Sequence, residues 1–249
     1  MKRPGILSRL KVALQRSFVA RTTLETRLFP PLSLPVVFRP YRDEDFDACV
    51  SIYRKNEPGR FPEGHAQAFE NLLRSDAKTC IVAQLESKVV ACASMASEAP
   101  DLVHLLWNVV DPEYRGFRIG STLTLLRLSQ LPLGPTNIFV LICVVKAAMP
   151  FYRRFGFRKY GPWKITEKGE HDVGAGGLLL SHWELQSLKE ALEHRNIRVT
   201  GKLTLHAVQN VRCELIYGQQ GAREIVWHPR EPETPGDKAS DSPVERSDG

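Results

Sequence analysis

A segment rich in arginine and glycine has the composition of a phosphate-binding loop. It runs Val110-Asp-Pro-Glu-Tyr-Arg-Gly-Phe-Arg-Ile-Gly-Ser121, between a strand-like and a helix-like segment. Small residues let the backbone approach a ligand closely, and the first amides of a helix carry about half a positive charge. Arg115 and Arg118 add two further charges. The segment therefore predicts a diphosphate cradle, with an ordinary strand-to-helix turn as the alternative.

A second segment, Ala148-Met-Pro-Phe-Tyr-Arg-Arg-Phe-Gly-Phe157, follows the loop along the chain. The loop, as Arg-x-x-x-x-Gly, resembles the acetyl-CoA-binding loop of the GCN5-related N-acetyltransferases (GNAT). The second segment resembles the Ala-x-x-Phe-Tyr-x-x-x-Gly-Phe helix and turn of the same family. The two motifs occur in the family's order and flank the apolar segment Ile138–Val145. The resemblance covers residues 36–186.

The resemblance implies acetyl-CoA as a co-substrate, with no metal. The residues it assigns to the co-substrate are Val109, Val110, Arg115, Gly116, Phe117, Arg118, Ile119, Gly120, Ser121 and Ala148. A backbone amide at Val109 or Val110 would polarise the thioester carbonyl. The chain departs from the family pattern at Arg118, where a glycine is usual, and at Val145, where an asparagine is frequent.

Acetyl transfer to an amine needs a group that accepts a proton, because an ammonium with a pKa near 10 cannot attack a thioester. His104 lies six residues before Val110 on one predicted strand, so simple alternation places both side chains on one face and Trp107 on the other. The resemblance assigns a general base to the position of His104, and a core-edge histidine is the alternative. It also implies that Tyr152 faces the sulfur of coenzyme A as a general acid. The alternative for Tyr152 is packing among three neighbouring phenylalanines.

The elements that must position these residues alternate between strands and helices. Predicted strands are 36–40, 79–85, 89–95, 102–110, 138–145 and 178–185, and predicted helices are 45–55, 62–75, 121–131 and 147–155. Together with the resemblance, this order predicts an α/β fold with a GNAT-like central sheet, mixed but mostly antiparallel, flanked by helices. A helix at 187–194 and strands at 198–205, 211–217 and 224–227 are expected beyond it.

We expect four regions along the chain. Residues 1–35 form a basic amphipathic segment with a Pro-rich linker, 36–186 the N-acetyltransferase domain, 187–228 a C-terminal helix and strand extension, and 229–249 a disordered tail. The first region has an apolar helical face flanked by Lys and Arg. It fits a helix that packs on its own domain, one that lies on an anionic membrane, or a targeting segment.

Composition narrows the class of protein. The chain has 249 residues, 43% of them hydrophobic and 25% charged, and no apolar run of the length that a membrane-spanning helix needs. Residues 1–42 hold nine of the 34 basic residues and one of the 28 acidic ones, so the body is nearly neutral and no nucleic-acid-binding surface is expected. Five scattered cysteines fit a reduced cytoplasmic chain, with peripheral membrane contact through residues 1–28 as an addition.

These features predict an N-acetyltransferase that moves an acetyl group from acetyl-CoA to a primary amine by direct transfer in a ternary complex. No cysteine lies in the two motifs, so no acetyl-enzyme is expected. A small-molecule amine is favoured as the acceptor over a protein amine. By resemblance, residues 53–61 and 163–177 would recognise it, the second as a mobile loop over the acceptor. The alternatives are a weakly catalytic or non-catalytic acyl-CoA-binding module held at a membrane or partner by the N-terminal helix, and transfer of a longer acyl chain.

Overall fold

The computed structural model describes residues 32–61, 65–75, 79–99, 101–134, 137–165, 172–201, 203, 211–217 and 223–229. The strands are β1 (Val36–Pro40), β2 (Ile81–Leu85), β3 (Lys88–Ala99), β4 (Leu102–Val110), β5 (Ile138–Val145), β6 (Arg158–Ile165), β7 (Asp172–Leu180), β8 (Val211–Tyr217) and β9 (Arg223–Pro229). The helices are α1 (Phe46–Arg60), α2 (Ala66–Ser75), α3 (Ile119–Ser129), α4 (Met149–Arg153) and α5 (His182–His194).

One sheet of seven strands carries the fold, in the order β1-β2-β3-β4-β5-β7-β6. Neighbouring strands are antiparallel except β4 and β5, which are parallel. Strands β8 and β9 form a separate antiparallel pair. The expected α/β fold, with a mixed and mostly antiparallel sheet flanked by helices, is confirmed.

Helices cover both faces of the sheet, which explains why the inner strand β5 is apolar along its whole length. On one face, residues of α3 and α5 such as Leu123, Leu126 and Leu192 are buried against the strands. On the other face, Tyr53 of α1 and Phe69 of α2 are buried with Cys92 and Val109. We call these the α3 face and the α1 face.

The strands β4 and β5 separate at the centre of the sheet. Their pairing runs from Leu102 with Phe139 to Leu105 with Ile142, four residue pairs in all. Beyond these pairs, both strands continue, β4 to Val110 and β5 to Val145. The separation leaves space between two strands that are buried on both sides.

Strand β4 also contains a bulge where the two strands separate. On β3, Cys92 and Ser94 are two residues apart, while their partners Val109 and Leu106 on β4 are three apart. Trp107, inside this interval, has a φ of 44°. A left-handed conformation is rare for an aromatic residue, and bulges of this kind re-aim side chains.

Two predicted boundaries near the C-terminus are wrong. The strand expected at 178–185 ends at Leu180, and the helix expected from Ser187 begins at His182. Ser181 accepts a hydrogen bond from the Glu184 amide while the Glu184 side chain accepts one from the Ser181 amide. This capping box begins the helix earlier than the apolar pattern indicates. The proposed domain boundary at residue 186 therefore lies inside α5.

The mobile loop expected at 163–177 is also wrong for the residues described, because Trp163–Ile165 lie in β6 and Asp172–Gly177 in β7. A strand expected at 198–205 is not found among residues 198–201 and 203. Instead, Val199 makes one isolated parallel bridge to Phe38 of β1, and the Thr200 amide donates to the Phe38 carbonyl at 2.7 Å. The two last strands are confirmed as β8 and β9.

The basic segment 1–31 and the tail 230–249 lie outside the described residues, so the expectations for them stay predictions. Within the described residues, no helix combines the length and the apolar character needed to cross a bilayer.

Candidate active site

A cavity of about 730 Å³ opens where β4 and β5 separate. Its floor is formed by the ends of both strands, from Leu106 to Val110 and from Cys143 to Val145. The loop before α3, the helix α4 and the C-terminal part of α1 complete its lining. Among the described residues, no group of three His, Cys, Asp or Glu side chains could hold a metal ion.

The loop that leads into α3 is held in place by Asp111. This side chain is 1% exposed, accepts a hydrogen bond from the Glu113 amide at 3.2 Å, and pairs with Lys55 of α1 at 2.9 Å. Although burial works in the opposite direction, the hydrogen bonds from Lys55 and from the amide hold the pKa of Asp111 below its ordinary value. The ion pair therefore ties α1 to the start of the loop.

The helix α3 begins at a residue in the left-handed conformation. Its N-cap, Arg118, has φ 69° and ψ 2°, values that glycine adopts without cost. The three following amides, of Ile119, Gly120 and Ser121, belong to the first helical turn, where no intrahelical acceptor is available. These residues line the cavity, so the start of α3 presents these amides beside it.

The residues around this helix start fit a phosphopantetheine chain that approaches closely. A Cβ added to Gly120 would lie 3.2 Å from Cγ2 of Val110, so a side chain there would narrow the gap. The Asn108 side chain donates to the Gly120 carbonyl and to Oγ1 of Thr124. Its Oδ1 atom is buried and has no partner among the described atoms. The site thus presents the first amides of α3, the unpaired Oδ1 atom of Asn108, and a glycine that lets a ligand come close to the backbone. These features suit coenzyme A.

Backbone pairing indicates which amide at the end of β4 is directed toward the cavity. The Asp111 amide donates to the Val90 carbonyl of β3 at 2.9 Å. Because alternate amides of a strand point to opposite edges, the Val110 amide points away from β3, toward the gap beside β5. Val109 is fully buried in the core of the α1 face. Of the two expected carbonyl-polarising amides, Val110 is therefore the one suitably directed.

Because of the bulge, the side chains of β4 lie on different faces of the sheet from those predicted. Val103 and Leu105 are buried on the α3 face, so His104 lies on the α1 face. Trp107 packs on the α1 face, the side of His104, and Val110 packs against the core of the α3 face. The predicted shared face of His104 and Val110, and the opposite placement of Trp107, are wrong because one extra residue reverses the alternation. His104, 9% exposed, still lines the cavity.

Tyr152 lines the cavity from α4 and is 8% exposed. Its ring makes edge-to-face contacts with Phe151 at 4.9 Å and with Phe157 at 5.6 Å between centroids. Beneath it lies Arg127 of α3, which is fully buried. Burial lowers the pKa of Arg127, and the neighbouring Tyr152 oxygen partly offsets this effect. The Tyr152 ring is therefore held by aromatic packing, the predicted alternative, and it also borders the cavity.

Arg127 holds the bulged part of the sheet. Its guanidinium donates to the carbonyl oxygens of Ser94 at 2.8 Å and Leu106 at 2.9 Å, on the two strands that frame the bulge. Its Nη2 atom has no partner among the described atoms. A buried cation held by backbone carbonyls alone carries a desolvation cost.

The structure brings most of the sequence-predicted site residues to one cavity. Those that line it are His104, Val110, Arg115, Gly116, Arg118, Ile119, Gly120, Ser121, Ala148 and Tyr152. Val109 does not line it, and Phe117 is 37% exposed outside it. Sequence reasoning missed His65 and Cys143. No local motif marks either residue, since one depends on the packing of α2 and the other on the separation of β5.

Comparisons with known proteins agree with this architecture. Residues 76–159 match the family model of an acetyltransferase (GNAT) domain, which spans β2 to the start of β6. The predicted resemblance to the GNAT superfamily is therefore confirmed over these residues. A comparison with curated protein sequences finds no match.

A solved structure supports the fold, and a second one has a weaker similarity. Ard1 from Thermoplasma volcanium matches with a TM-score of 0.51 at 16% identity, over 59% of this chain and 99% of that one. The ribosomal-protein-S18-alanine N-acetyltransferase from Escherichia coli matches with a TM-score of 0.48 at 19% identity, over 59% of this chain and 94% of that one. At 16% identity, the similarity to Ard1 supports the fold and nothing about the substrate.

Proposed function

We propose that this protein transfers an acetyl group from acetyl-CoA to a primary amine of a small molecule, directly and in a ternary complex. The observation that carries the proposal is the convergence of three features on one cavity. These are the amide-rich start of α3, the outward-directed amide of Val110, and two titratable side chains, His104 and Tyr152.

The co-substrate supplies the acetyl group as a thioester, and the chain's residues prepare both partners. The amides of residues 119–121 and the charge of Arg118 would bind the diphosphate. The Val110 amide would donate to the acetyl carbonyl oxygen, where negative charge develops as the amine attacks. Electrostatic stabilisation of this kind requires no reorganisation, because the strand already holds the amide in place.

Two proton transfers complete the reaction. His104 accepts a proton from the amine nitrogen as the N–C bond forms, and Tyr152 donates one to the sulfur as the C–S bond breaks. The net result is the movement of one proton from nitrogen to sulfur, after which both residues exchange with solvent. Direct transfer is supported by the two sequence motifs, neither of which contains a cysteine that could form an acetyl-enzyme.

A panel of primary amines tests the proposal, with release of free thiol from acetyl-CoA as the readout. We expect thiol release that depends on an amine. Tyr152→Phe should lower kcat by about 10²–10⁴-fold with little change in coenzyme A affinity, because only the hydroxyl is lost. His104→Gln should remove the ionisation through which kcat/KM rises with pH, since Gln takes up no proton near neutrality.

Two matched variants control for these substitutions. Tyr160→Phe changes a tyrosine that packs on Phe139 outside the cavity, and His194→Gln changes an exposed histidine at the end of α5. Both should behave like the wild type. Coenzyme A binding without thiol release for any amine would instead favour the binding module, which has no use for His104 or Tyr152.

A further inference from the structure

The end of the cavity next to α1 has an aromatic wall formed by Tyr53, Phe61, His65, Phe69 and Trp107. The Trp107 ring lies 5.7 Å from Tyr53, 6.0 Å from Phe61, 6.4 Å from His65 and 5.5 Å from Phe69, measured between centroids. Phe61, His65 and Trp107 line the cavity, while Tyr53 and Phe69 are buried behind them. The left-handed conformation of Trp107 is what directs its ring to this wall. Such a surface suits an apolar or aromatic group.

Two arginines border the same end. Arg60, the last residue of α1, and Arg115 both line the cavity. Arg115 donates to Oδ1 of Asn56, a buried side chain that also donates to the Val110 carbonyl, so its guanidinium is anchored on the α1 side. Burial lowers the pKa of Arg115, and the nearby charge of Arg60 lowers it further. Two arginines that line one cavity, one of them anchored by Asn56, favour an anion bound there.

Among the described residues, the carboxylates nearest this pair are used elsewhere or lie outside the cavity. Asp111 is paired with Lys55, and Glu57 lies beside Tyr53 but does not line the cavity. None of the described residues that line the cavity is an aspartate or a glutamate. A polyamine or other polycationic acceptor would therefore meet positive charge with no counter-charge from the described lining residues.

From these contacts we infer that the acceptor is a small primary amine that carries both a carboxylate and an apolar side chain, as an apolar or aromatic α-amino acid does. The inference rests on the proposed function and specifies its acceptor. The carboxylate would lie between Arg60 and Arg115, and the side chain would lie against Phe61 and Trp107. This leaves the amine directed toward His104, which lines the same cavity.

Calorimetry on the full chain with coenzyme A bound tests the inference without relying on catalysis. The probes are L-phenylalanine, phenethylamine, which lacks the carboxylate, and spermidine. We expect phenylalanine to bind at least about tenfold more tightly than phenethylamine, the range of a charge-assisted hydrogen bond, and spermidine not to bind. Arg60→Gln should remove the difference between phenylalanine and phenethylamine. Arg54→Gln, which removes an exposed arginine of the same helix that pairs with Glu70, should preserve it.

The outcomes separate the inference from the function on which it rests. Equal binding of phenylalanine and phenethylamine, or tighter binding of spermidine, overturns the inference while the amine panel still tests acetyl transfer. If Arg60→Gln weakens coenzyme A binding and leaves phenylalanine binding unchanged, the arginine pair binds a phosphate of coenzyme A, and the inference fails. Absence of coenzyme A binding to the wild type would contradict the proposed function itself.

Discussion

At the scale of single residues, Arg118 shows how a departure from the family pattern can be accommodated. The backbone there adopts the left-handed conformation that the usual glycine would supply. An L-residue in this conformation costs about 1–2 kcal/mol relative to the right-handed region. Strained residues of this kind are often found at functional sites. Arg118 lines the cavity beside the start of α3, next to the proposed diphosphate site.

We expect Arg118→Gly and Arg118→Ala to differ in stability but not in binding. The Gly variant should have a free energy of unfolding about 1 kcal/mol above that of the Ala variant, because glycine relieves the strained φ. Both should lose the same fraction of coenzyme A affinity, because both lack the charge. Urea unfolding and calorimetry measure the two effects. Equal stabilities would mean that residue 118 is not held left-handed in solution.

Cys143 distinguishes direct transfer from a covalent route. It lies at the cavity on the part of β5 that has separated from β4, and its side chain is exposed. Cys143→Ala should retain most of the rate of thiol release, since no acetyl-enzyme is expected. Mass spectrometry of the wild type after incubation with acetyl-CoA alone supplies the check. A stable mass increase of one acetyl group that disappears in the variant would favour covalent catalysis.

At the scale of elements, the bulge in β4 explains why part of the site could not be predicted. The loop and the helix α3 were predictable, because the spacing of Arg115, Arg118 and Gly120 is local. The faces of His104, Trp107 and Val110 depend on one extra residue opposite β3, which strand alternation does not reveal.

The glycines of β7 gave a second wrong prediction for a different reason. Glycine-rich sequence at 173–177 is typical of a loop, yet these residues pair with β5 over their whole length. A Cβ at Gly177 would collide with the rings of Phe139 and Tyr160, and one at Gly176 would lie 3.0 Å from Cγ1 of Ile142. The glycines therefore make room for large neighbours within the sheet, a use that depends on tertiary contacts.

Arg127 provides a test of how the bulge is held. We expect Arg127→Met to lower the free energy of unfolding by about 1–3 kcal/mol, because the carbonyls of Ser94 and Leu106 lose their donor in a buried site. Thiol release should fall as well, since the floor of the cavity loses its support. Urea unfolding measures the first effect, with the exposed Arg153→Met as control. A variant as stable as the wild type would show that relief of the buried charge balances the lost hydrogen bonds.

At the scale of the whole molecule, the basic N-terminal segment is expected to be dispensable for folding. Leu32 and Val36 are the first described residues that pack against the core. A chain that begins at Leu32 should keep the thermal midpoint and the thiol-release rate of the full chain. Loss of cooperative unfolding in the shortened chain would place the apolar face of residues 7–18 in the core.

The same pair of chains tests membrane contact. If residues 1–28 lie on anionic lipid, the full chain should sediment with anionic vesicles and the shortened one should not. This binding should weaken as salt is added, because exposed charges are screened over about 10 Å at 0.1 M ionic strength. Salt-independent sedimentation would contradict an electrostatic contact.

The segment after α5 has a consequence for how the chain behaves at high concentration. An unpaired outer strand offers its backbone to any other extended chain, and β1 is the outer strand on its side of the sheet. On this outer edge, Val199 forms a parallel bridge with Phe38. The Thr200 amide and hydroxyl both donate to the Phe38 carbonyl, at 2.7 and 3.1 Å. A neighbouring molecule would have to displace these contacts before it could extend the sheet. The short bridge thus hinders self-association through strand pairing at this edge of β1.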